Sequence, residues 1–283
     1  MVLTAKSIVE DSINLYSLPD VYFQVREMIH DPRFSVAEIG QVIAKDPALT
    51  IRLLRIVNSS FYGFQSRVDT ISRAVSIIGK HELQNLVLAT SVVETFNKIP
   101  GDLVDMTDFW MQSIQCAIMA KLLARKSVVL HEERLFLAGL LHDIGALVIY
   151  TKFPELAAEM LIRAGHDRFM LAKLERELIG FTRAEVGGEL VHFWGLPESL
   201  SEAIFCQFNP GVALAHMMDA HLLSLAINLT NTERTVDEIL ALVPEETLSM
   251  LRLNRRQIEQ AAVAAVDEFN SMFDVLAPGK KFH

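Results

Sequence analysis

The sequence has few cysteines, with only Cys116 and Cys206 among its 283 residues. They stand far apart, and neither belongs to a CxxC motif or has the Cys/His spacing of a metal-binding loop. This absence excludes a disulfide framework and a zinc finger. We expect both cysteines to be small buried hydrophobic side chains.

The sequence also lacks an excess of positive charge. It has 26 Lys and Arg residues against 35 Asp and Glu residues, which gives a formal net charge of −9. A protein that binds nucleic acid by releasing counterions needs concentrated basic residues, and here they would work against a repulsive overall field. We therefore expect no nucleic-acid partner.

We also expect neither an export signal nor a lipid-facing segment. The N-terminal sequence MVLTAKSIVEDS reaches acidic residues early and lacks the apolar run of about 7 to 15 residues typical of a signal peptide. The most apolar stretch, residues 212–229, contains His216, Asp219 and His221, which a membrane-spanning helix rarely tolerates. We expect a cytoplasmic protein without membrane insertion.

Strand patterns are nearly absent, whereas helix starts are frequent. The motif of an apolar residue, proline and an acidic residue occurs four times, beginning at residues 18, 153, 196 and 243. Asp46 before Pro47 is typical of an N-cap, and Ser35 and Thr235 each begin a capping-box pattern. Between these starts, apolar residues recur every three or four positions. The sequence predicts an all-α protein.

The sequence contains none of the common phosphate-binding loops or nucleophile motifs, and its sharpest local feature is the pair His142-Asp143. An imidazole beside a carboxylate suits a divalent metal ion. In the alternative interpretation, Asp143 accepts hydrogen bonds and His142 packs in the core. Apolar residues flank the pair on both sides, so we expect both side chains to be buried within a helix, with a partner for Asp143.

Longer motifs give a specific resemblance to a known family. The segment FLAGLLHDIG at 136–145 looks like the signature of the HD phosphohydrolase superfamily. The block DPALTIRLLRIVNSSFYG at 46–63 is similar to the HD-related output domain, called HDOD. Further matches are ISRAVSIIG at 71–79, AEVG at 184–187 and WGLP at 194–197. The resemblance extends from about residue 17 to about residue 230.

This resemblance implies a bacterial signalling module with an HD-superfamily-like multi-helix bundle. It predicts an N-terminal helical lobe at residues 1–100, an HD-like helical lobe at 101–231, and a C-terminal helical extension with a short tail at 232–283. We place the boundary between the two lobes near residue 100.

The resemblance also names the positions where catalytic relatives have metal ligands. Gln112 stands where a first histidine is expected, and Arg183 stands at a later histidine position. A pair of histidines falls on residues 207–208, which are Gln and Phe here. The closing aspartate corresponds either to Asp219 or to His221. A dinuclear catalytic site needs about five or six ligands, so these substitutions leave too few.

We therefore expect no catalytic residues and no cofactor. His142 and Asp143 are a vestigial metal pair, to which Asp219 is a candidate third member. Gln112, Arg183 and His142 are expected to line a pocket, where the arginine suits a phosphate or carboxylate. The predicted function is a non-catalytic signalling or scaffold module that binds an unidentified signalling protein or a small anionic ligand. The alternative is a phosphohydrolase that uses Mn, Mg or Fe to act on a nucleotide or phosphodiester.

Overall fold

The computed structural model describes residues 3–12, 15–96, 104–165, 167–230 and 234–276, with the side chain of residue 271 left out. In these ranges the secondary structure consists of helices and contains no strand, which confirms the all-α prediction. The helices are α1 (Ala5–Ser12), α2 (Asp20–His30), α3 (Val36–Ala44), α4 (Pro47–Val57), α5 (Ile71–Ile78), α6 (Lys80–Phe96), α7 (Met106–Lys126), α8 (Glu132–Leu141), α9 (Ile144–Lys152), α10 (Pro154–Ala164), α11 (Arg168–Leu178), α12 (Arg183–Phe193), α13 (Glu198–Phe205), α14 (Met217–Leu229), α15 (Val236–Leu240), α16 (Glu245–Leu251) and α17 (Arg255–Leu276). A 3₁₀ turn at Pro210–Val212 precedes α14.

The chain forms two compact units. The first contains residues 1–16 and 99–265, and the second contains residues 17–98 and 266–283, so α17 is divided between them. These units do not follow the three predicted segments, because residues 1–16 and 234–265 belong to the larger unit. The predicted boundary near residue 100 lies outside the described residues, and the three-segment division stays a prediction.

The smaller unit is built from short helices whose starts are encoded locally. α2 packs on α6 and α3, and α3 packs on α5. The Ser35 hydroxyl accepts from the Glu38 backbone N–H, and the Glu38 carboxylate accepts from the Ser35 N–H, which confirms the predicted capping box. The box at Thr235 and Glu238, in the larger unit, is confirmed in the same way.

The turn after α4 is fixed by one asparagine. Asn58 donates to the carbonyl oxygens of Leu54 and Val68, and its own side-chain oxygen accepts from the Val68 N–H at 2.7 Å. Phe61 is buried, and the half-buried Tyr62 donates its hydroxyl hydrogen bond to Glu82. This confirms that residues 58–63 form a turn whose aromatic side chains pack within the protein.

Asp46 caps α4 as the sequence predicts. Its side chain accepts from the Leu49 N–H at 3.0 Å, and Pro47 occupies the first helical position. We expect Asp46→Ala to lower the free energy of unfolding by about 0.5 to 2 kcal/mol, because an N–H at the helix start loses its acceptor. Chemical denaturation of the parent and the variant checks this, and identical stabilities would show that the cap is unimportant.

The larger unit is organised around α7. Trp110, Ile114 and Ala117 on this helix are fully buried, and α8 packs along it. The helices approach closely at Gly139, where a Cβ atom would lie 2.5 Å from the Ala117 Cα. α9 packs on α12, which also contacts α1 and α13. These contacts bring the C-terminal end of α8 and the N-terminal end of α12 to the same part of the larger unit.

The most membrane-like stretch is Glu132–Lys152, which includes α8 and α9. Among the residues that the structure places, it alone is long and apolar enough to cross a bilayer, and 83% of its most apolar window is buried inside the protein. The core helix of a soluble protein passes the same test. The stretch is therefore weak evidence for a membrane span, and residues 212–229 are not the strongest candidate.

Candidate functional site

His142 and Asp143 lie in the turn between α8 and α9, and both side chains are buried, with exposures of 1% and 8%. Their predicted burial is confirmed, but their predicted place within a helix is wrong. Two contacts of His142 stabilise the turn. The first is made by its side chain, whose Nδ1 lies 2.7 Å from the Gly139 carbonyl oxygen. The His142 carbonyl oxygen in turn accepts from Gln207 Nε2 at 2.7 Å. Gln207 therefore supports the turn through the backbone.

The Arg168 guanidinium lies directly over the pair. Its Nη2 atom is 2.7 Å from Asp143 Oδ2 and 3.0 Å from His142 Nε2. Arg168 is the first residue of α11 and follows the N-cap Asp167, so the start of this helix holds the guanidinium in place. A guanidinium only donates hydrogen bonds, so His142 Nε2 is the acceptor and Nδ1 carries the proton. The imidazole is neutral.

The local charges set the pKa values of this pair. Burial is the largest cause and, with the positive charge of Arg168, lowers the pKa of His142 to about 4. Burial by itself would raise the pKa of Asp143, but Arg168 and Arg183 bring it well below its usual range. Asp143 is therefore a carboxylate with two cationic neighbours, and His142 is a neutral hydrogen-bond acceptor.

Arg183 forms a second buried ion pair next to the first. Its Nε donates to Glu175 Oε1 at 2.8 Å and its backbone N–H donates to Glu175 Oε2 at 2.9 Å. Its Nη1 lies 3.5 Å from both carboxylate oxygens of Asp143. Its Nη2 is buried without a hydrogen-bond partner among the atoms that the structure places. Burial alone would lower the pKa of Arg183, but Glu175 raises it above its usual value.

Asp219, the third candidate metal ligand, is engaged elsewhere. Its carboxylate lies 2.8 Å from Nη2 of Arg134, which precedes His142 by about two turns of α8. Burial raises the pKa of Asp219 although Arg134 opposes this effect. His221, the other candidate for the closing position, lies on the same helix, α14. The structure does not bring Asp219 into contact with His142 or Asp143.

The HD superfamily implies a divalent metal ion, and the residues of this site do not fit one. Arg168 already contacts the imidazole nitrogen and the carboxylate that a metal would use, and Asp219 pairs with Arg134. Across the described ranges, no group of three or more His, Cys, Asp or Glu side chains is placed to hold a metal ion. The cation at the pair is a side chain of the protein.

A cavity of about 720 Å³ lies beside the buried pairs. Gln112 and Arg183 line it, as the sequence predicts for the pocket, together with Asp143, Arg168 and Tyr150. His142, which the sequence also predicts to line the pocket, is not among its lining residues, and its Nε2 faces Arg168 at 3.0 Å. Burial raises the pKa of Tyr150, so its hydroxyl stays protonated. Sequence analysis identified Gln112 and Arg183 but missed Arg168, Glu175 and Tyr150.

The buried neutral His142 leads to a pH prediction. Its pKa of about 4 in the fold lies below the ordinary value of 6.5, so its contribution to stability is complete above pH 6.5 and declines as the pH falls toward 4. We expect a loss of up to about 1.4 kcal/mol per pH unit in this window. Denaturation of the parent and of His142→Gln, which does not titrate, measures it. Parallel pH profiles of the two proteins would contradict it.

Comparisons with known proteins agree with this fold. The HDOD domain model matches residues 15–210, so the chain belongs to the HDOD domain family. It is similar to a structure from Shewanella amazonensis SB2B named as a candidate phosphohydrolase, with 25% identity, a TM-score of 0.77, and coverage of 95% of this chain and 98% of that one. A candidate signal-transduction protein from Marinobacter aquaeolei VT8 is 25% identical with a TM-score of 0.72, over 95% of this chain and 61% of that one.

A curated relative extends beyond this chain. It is an uncharacterized protein of Treponema pallidum (strain Nichols), 26% identical over 282 residues, which are 95% of this chain and 52% of the relative. The chain thus spans about half the length of the curated relative that it matches. The HDOD domain and the signal-transduction neighbour together fit a signalling module.

Proposed function

We propose that this chain is a non-catalytic HDOD signalling module that acts in the cytoplasm by binding a partner protein or a small ligand with an anionic group. The observation that carries the proposal is the position of Arg168, whose Nη2 contacts both His142 and Asp143. The guanidinium serves the carboxylate as a permanent counter-ion. The pair therefore has a structural role, and the adjoining cavity is the surface that serves for recognition.

The electrostatic cost of a metal at this position supports the proposal. A divalent ion about 4 Å from a guanidinium would be repelled by roughly 8 kcal/mol at an effective dielectric constant of 20. Arg183 adds a second positive charge, since its Nη1 lies 3.5 Å from the Asp143 carboxylate. The pair also supplies only one imidazole and one carboxylate, whereas a dinuclear catalytic site needs about five or six ligands. The net charge of −9 also argues against a nucleic-acid partner.

Metal analysis and an activity assay test the proposal directly. Protein purified without chelator should contain far less than one equivalent of Mn, Mg or Fe, and it should not hydrolyse bis(4-nitrophenyl) phosphate when these metals are added. Stoichiometric metal, with turnover that is lost in His142→Ala, would replace the proposal with the phosphohydrolase alternative. The neighbour named as a candidate phosphohydrolase is the observation that favours that alternative.

A matched pair of arginine variants tests the role of Arg168. Arg168→Ala should strengthen Mn²⁺ binding at least about tenfold, because it removes the charge that touches His142 and Asp143. Arg163→Ala is the control, because Arg163 pairs with Glu159 on the exposed face of α10. Proton relaxation of water during a Mn²⁺ titration gives both affinities. Equal affinities in the two variants would show that Arg168 is not what excludes the metal.

A further inference from the structure

Four large apolar side chains of the larger unit are exposed to solvent around the start of α14. Leu214 is 94% exposed, and Phe205, Val212 and Met217 are 39% to 54% exposed. These four residues form the α14 patch. None of them lines the cavity beside the buried pairs, so the patch is a separate surface.

The patch is continuous, because its members surround one small buried cluster. Cys206, Ala213 and Ala220 pack together in this cluster, each with an exposure of 7% or less. One patch residue directly precedes Cys206, two flank Ala213, and one lies one turn before Ala220 on α14. Single exposed apolar side chains are common on protein surfaces, whereas several that share one centre mark an interaction site.

Glu202 fixes the backbone that presents the patch. Its carboxylate accepts hydrogen bonds from the backbone N–H groups of Leu214, Ala215 and His216, at distances of 2.5 to 3.3 Å. Hydrogen bonds to a carboxylate are stronger than those between neutral groups, so this loop is held in one conformation. Leu214 is therefore presented to solvent before a partner arrives, and docking on it requires little ordering of the chain.

Acidic side chains border the patch. Glu198 and Glu202 lie on the same face of α13 as Phe205, because the three residues are spaced by about one turn each. No Lys or Arg occurs in residues 184–233. Arg134 reaches α14 from α8, but Asp219 engages it. Neither Glu198 nor Glu202 has an ion pair with a Lys or Arg that the structure places, so the border carries negative charge.

This charge distinguishes between the occupants that an apolar patch can have. A second copy docked by twofold symmetry would bring the acidic border against itself. An anionic lipid surface would be repelled in the same way. A protein segment whose apolar side chains are flanked by Lys or Arg complements both the patch and its border. An amphipathic helix offers this combination, with an apolar stripe and basic residues beside it.

We propose that the α14 patch docks a basic amphipathic helix of a partner protein, with apolar side chains on Leu214 and Phe205 and basic side chains beside Glu198 and Glu202. The inference rests on the proposed function, in which the module acts by binding, and it specifies the class of protein partner. It leaves the cavity to a small ligand.

Fluorescence anisotropy of labelled model peptides tests the proposal on the full chain. The basic probe is the peptide LKKLLKLLKKLLKL, and the acidic control is LEELLELLEELLEL, which has the same apolar positions. We expect the basic peptide to bind at least about tenfold more tightly than the acidic one. Equal affinities, or no binding of the basic peptide below about 1 mM, would show that the proposal is wrong.

Two matched pairs of variants localise the binding. Leu214→Ser should weaken the basic peptide at least about tenfold, whereas Leu130→Ser, at a 74% exposed position outside the patch, should not. Glu198→Gln should weaken it at least about threefold. Glu155→Gln is its control, because Glu155 is also exposed and directly follows a proline in the first turn of a helix. Equal affinities within both pairs would place the peptide elsewhere and overturn the proposal.

Sedimentation velocity and vesicle binding test the two other occupants. We expect no dimer that depends on the patch and no such binding to vesicles of phosphatidylcholine and phosphatidylglycerol. A dimer of the parent that Leu214→Ser dissociates would assign the patch to a second copy and overturn the proposal. Vesicle binding that Leu214→Ser abolishes would assign the patch to a lipid surface, with the same consequence.

The outcomes also separate this proposal from the proposed function. If the basic peptide does not bind to a protein that contains no metal and hydrolyses no phosphodiester, only the docking surface is refuted. Stoichiometric metal with turnover refutes the proposed function itself, whatever the peptides show.

Discussion

Glu175→Gln is expected to lower the free energy of unfolding by about 3 kcal/mol or more. Glu175 is fully buried, and its two oxygens accept from the backbone N–H and Nε of Arg183. The variant would leave the buried guanidinium with only Asp143, which already pairs with Arg168 at 2.7 Å. Removing one partner of a buried ion pair is costly because the other charge remains out of water.

Two further variants show whether the effect arises from this buried charge. Glu177→Gln changes the same residue type on the same helix, but its ion pair with Lys173 is exposed and long, at 3.9 Å, so we expect a change of less than about 0.5 kcal/mol. Adding Arg183→Gln to Glu175→Gln removes the uncompensated charge and should recover part of the loss. Chemical denaturation measures all three. If Glu175→Gln and Glu177→Gln lowered the free energy of unfolding equally, the Glu175–Arg183 ion pair would not be the cause of the loss.

The helix starts could be predicted because their signals are local. Asp46 reaches the Leu49 N–H three residues later, and Ser35 and Glu38 bond to each other across the same distance. Such interactions depend on the order of neighbouring residues and on helix geometry. The all-α fold follows from the same local patterns together with the spacing of apolar residues.

The position of the His142-Asp143 turn could not be read from hydrophobicity. Apolar residues surround the pair on both sides, so the pattern resembles one continuous helix from residue 132 to residue 152. The break is stabilised from outside, by Gln207 on the His142 carbonyl oxygen and by Arg168 on the Asp143 carboxylate. Both partners come from distant parts of the chain.

The composition of the site could be predicted only in part for a related reason. The family resemblance names the positions where ligands are lost, such as Gln112 and Arg183, because those positions align with known histidines. It does not name residues that enter the site from elsewhere. In the sequence, Arg168 is simply the first residue of a helix after a capping aspartate. Glu175 contacts Arg183 only because α11 packs next to the start of α12.

Gly145→Ala is expected to destabilise the protein by about 3 kcal/mol or more. A Cβ atom at this position would lie 2.0 Å from the Arg183 carbonyl oxygen and 2.5 Å from the Gly187 backbone nitrogen. Both are backbone atoms, so no side-chain rotation relieves the overlap and α9 must move away from α12. Overpacking of this kind outweighs the roughly 1 kcal/mol by which alanine favours a helix over glycine.

A graded series of glycine variants isolates the close approach of the two helices. At Gly187 the nearest atom to a new Cβ is the Ile204 side-chain Cγ2 at 3.1 Å, which can shift, so Gly187→Ala should cost less than Gly145→Ala. At Gly211 the nearest atom is 3.8 Å away, an ordinary contact, so Gly211→Ala should be nearly neutral. The denaturation midpoint should be highest for Gly211→Ala, lower for Gly187→Ala and lowest for Gly145→Ala. A Gly145→Ala protein as stable as the parent would show that α9 and α12 are not held this closely.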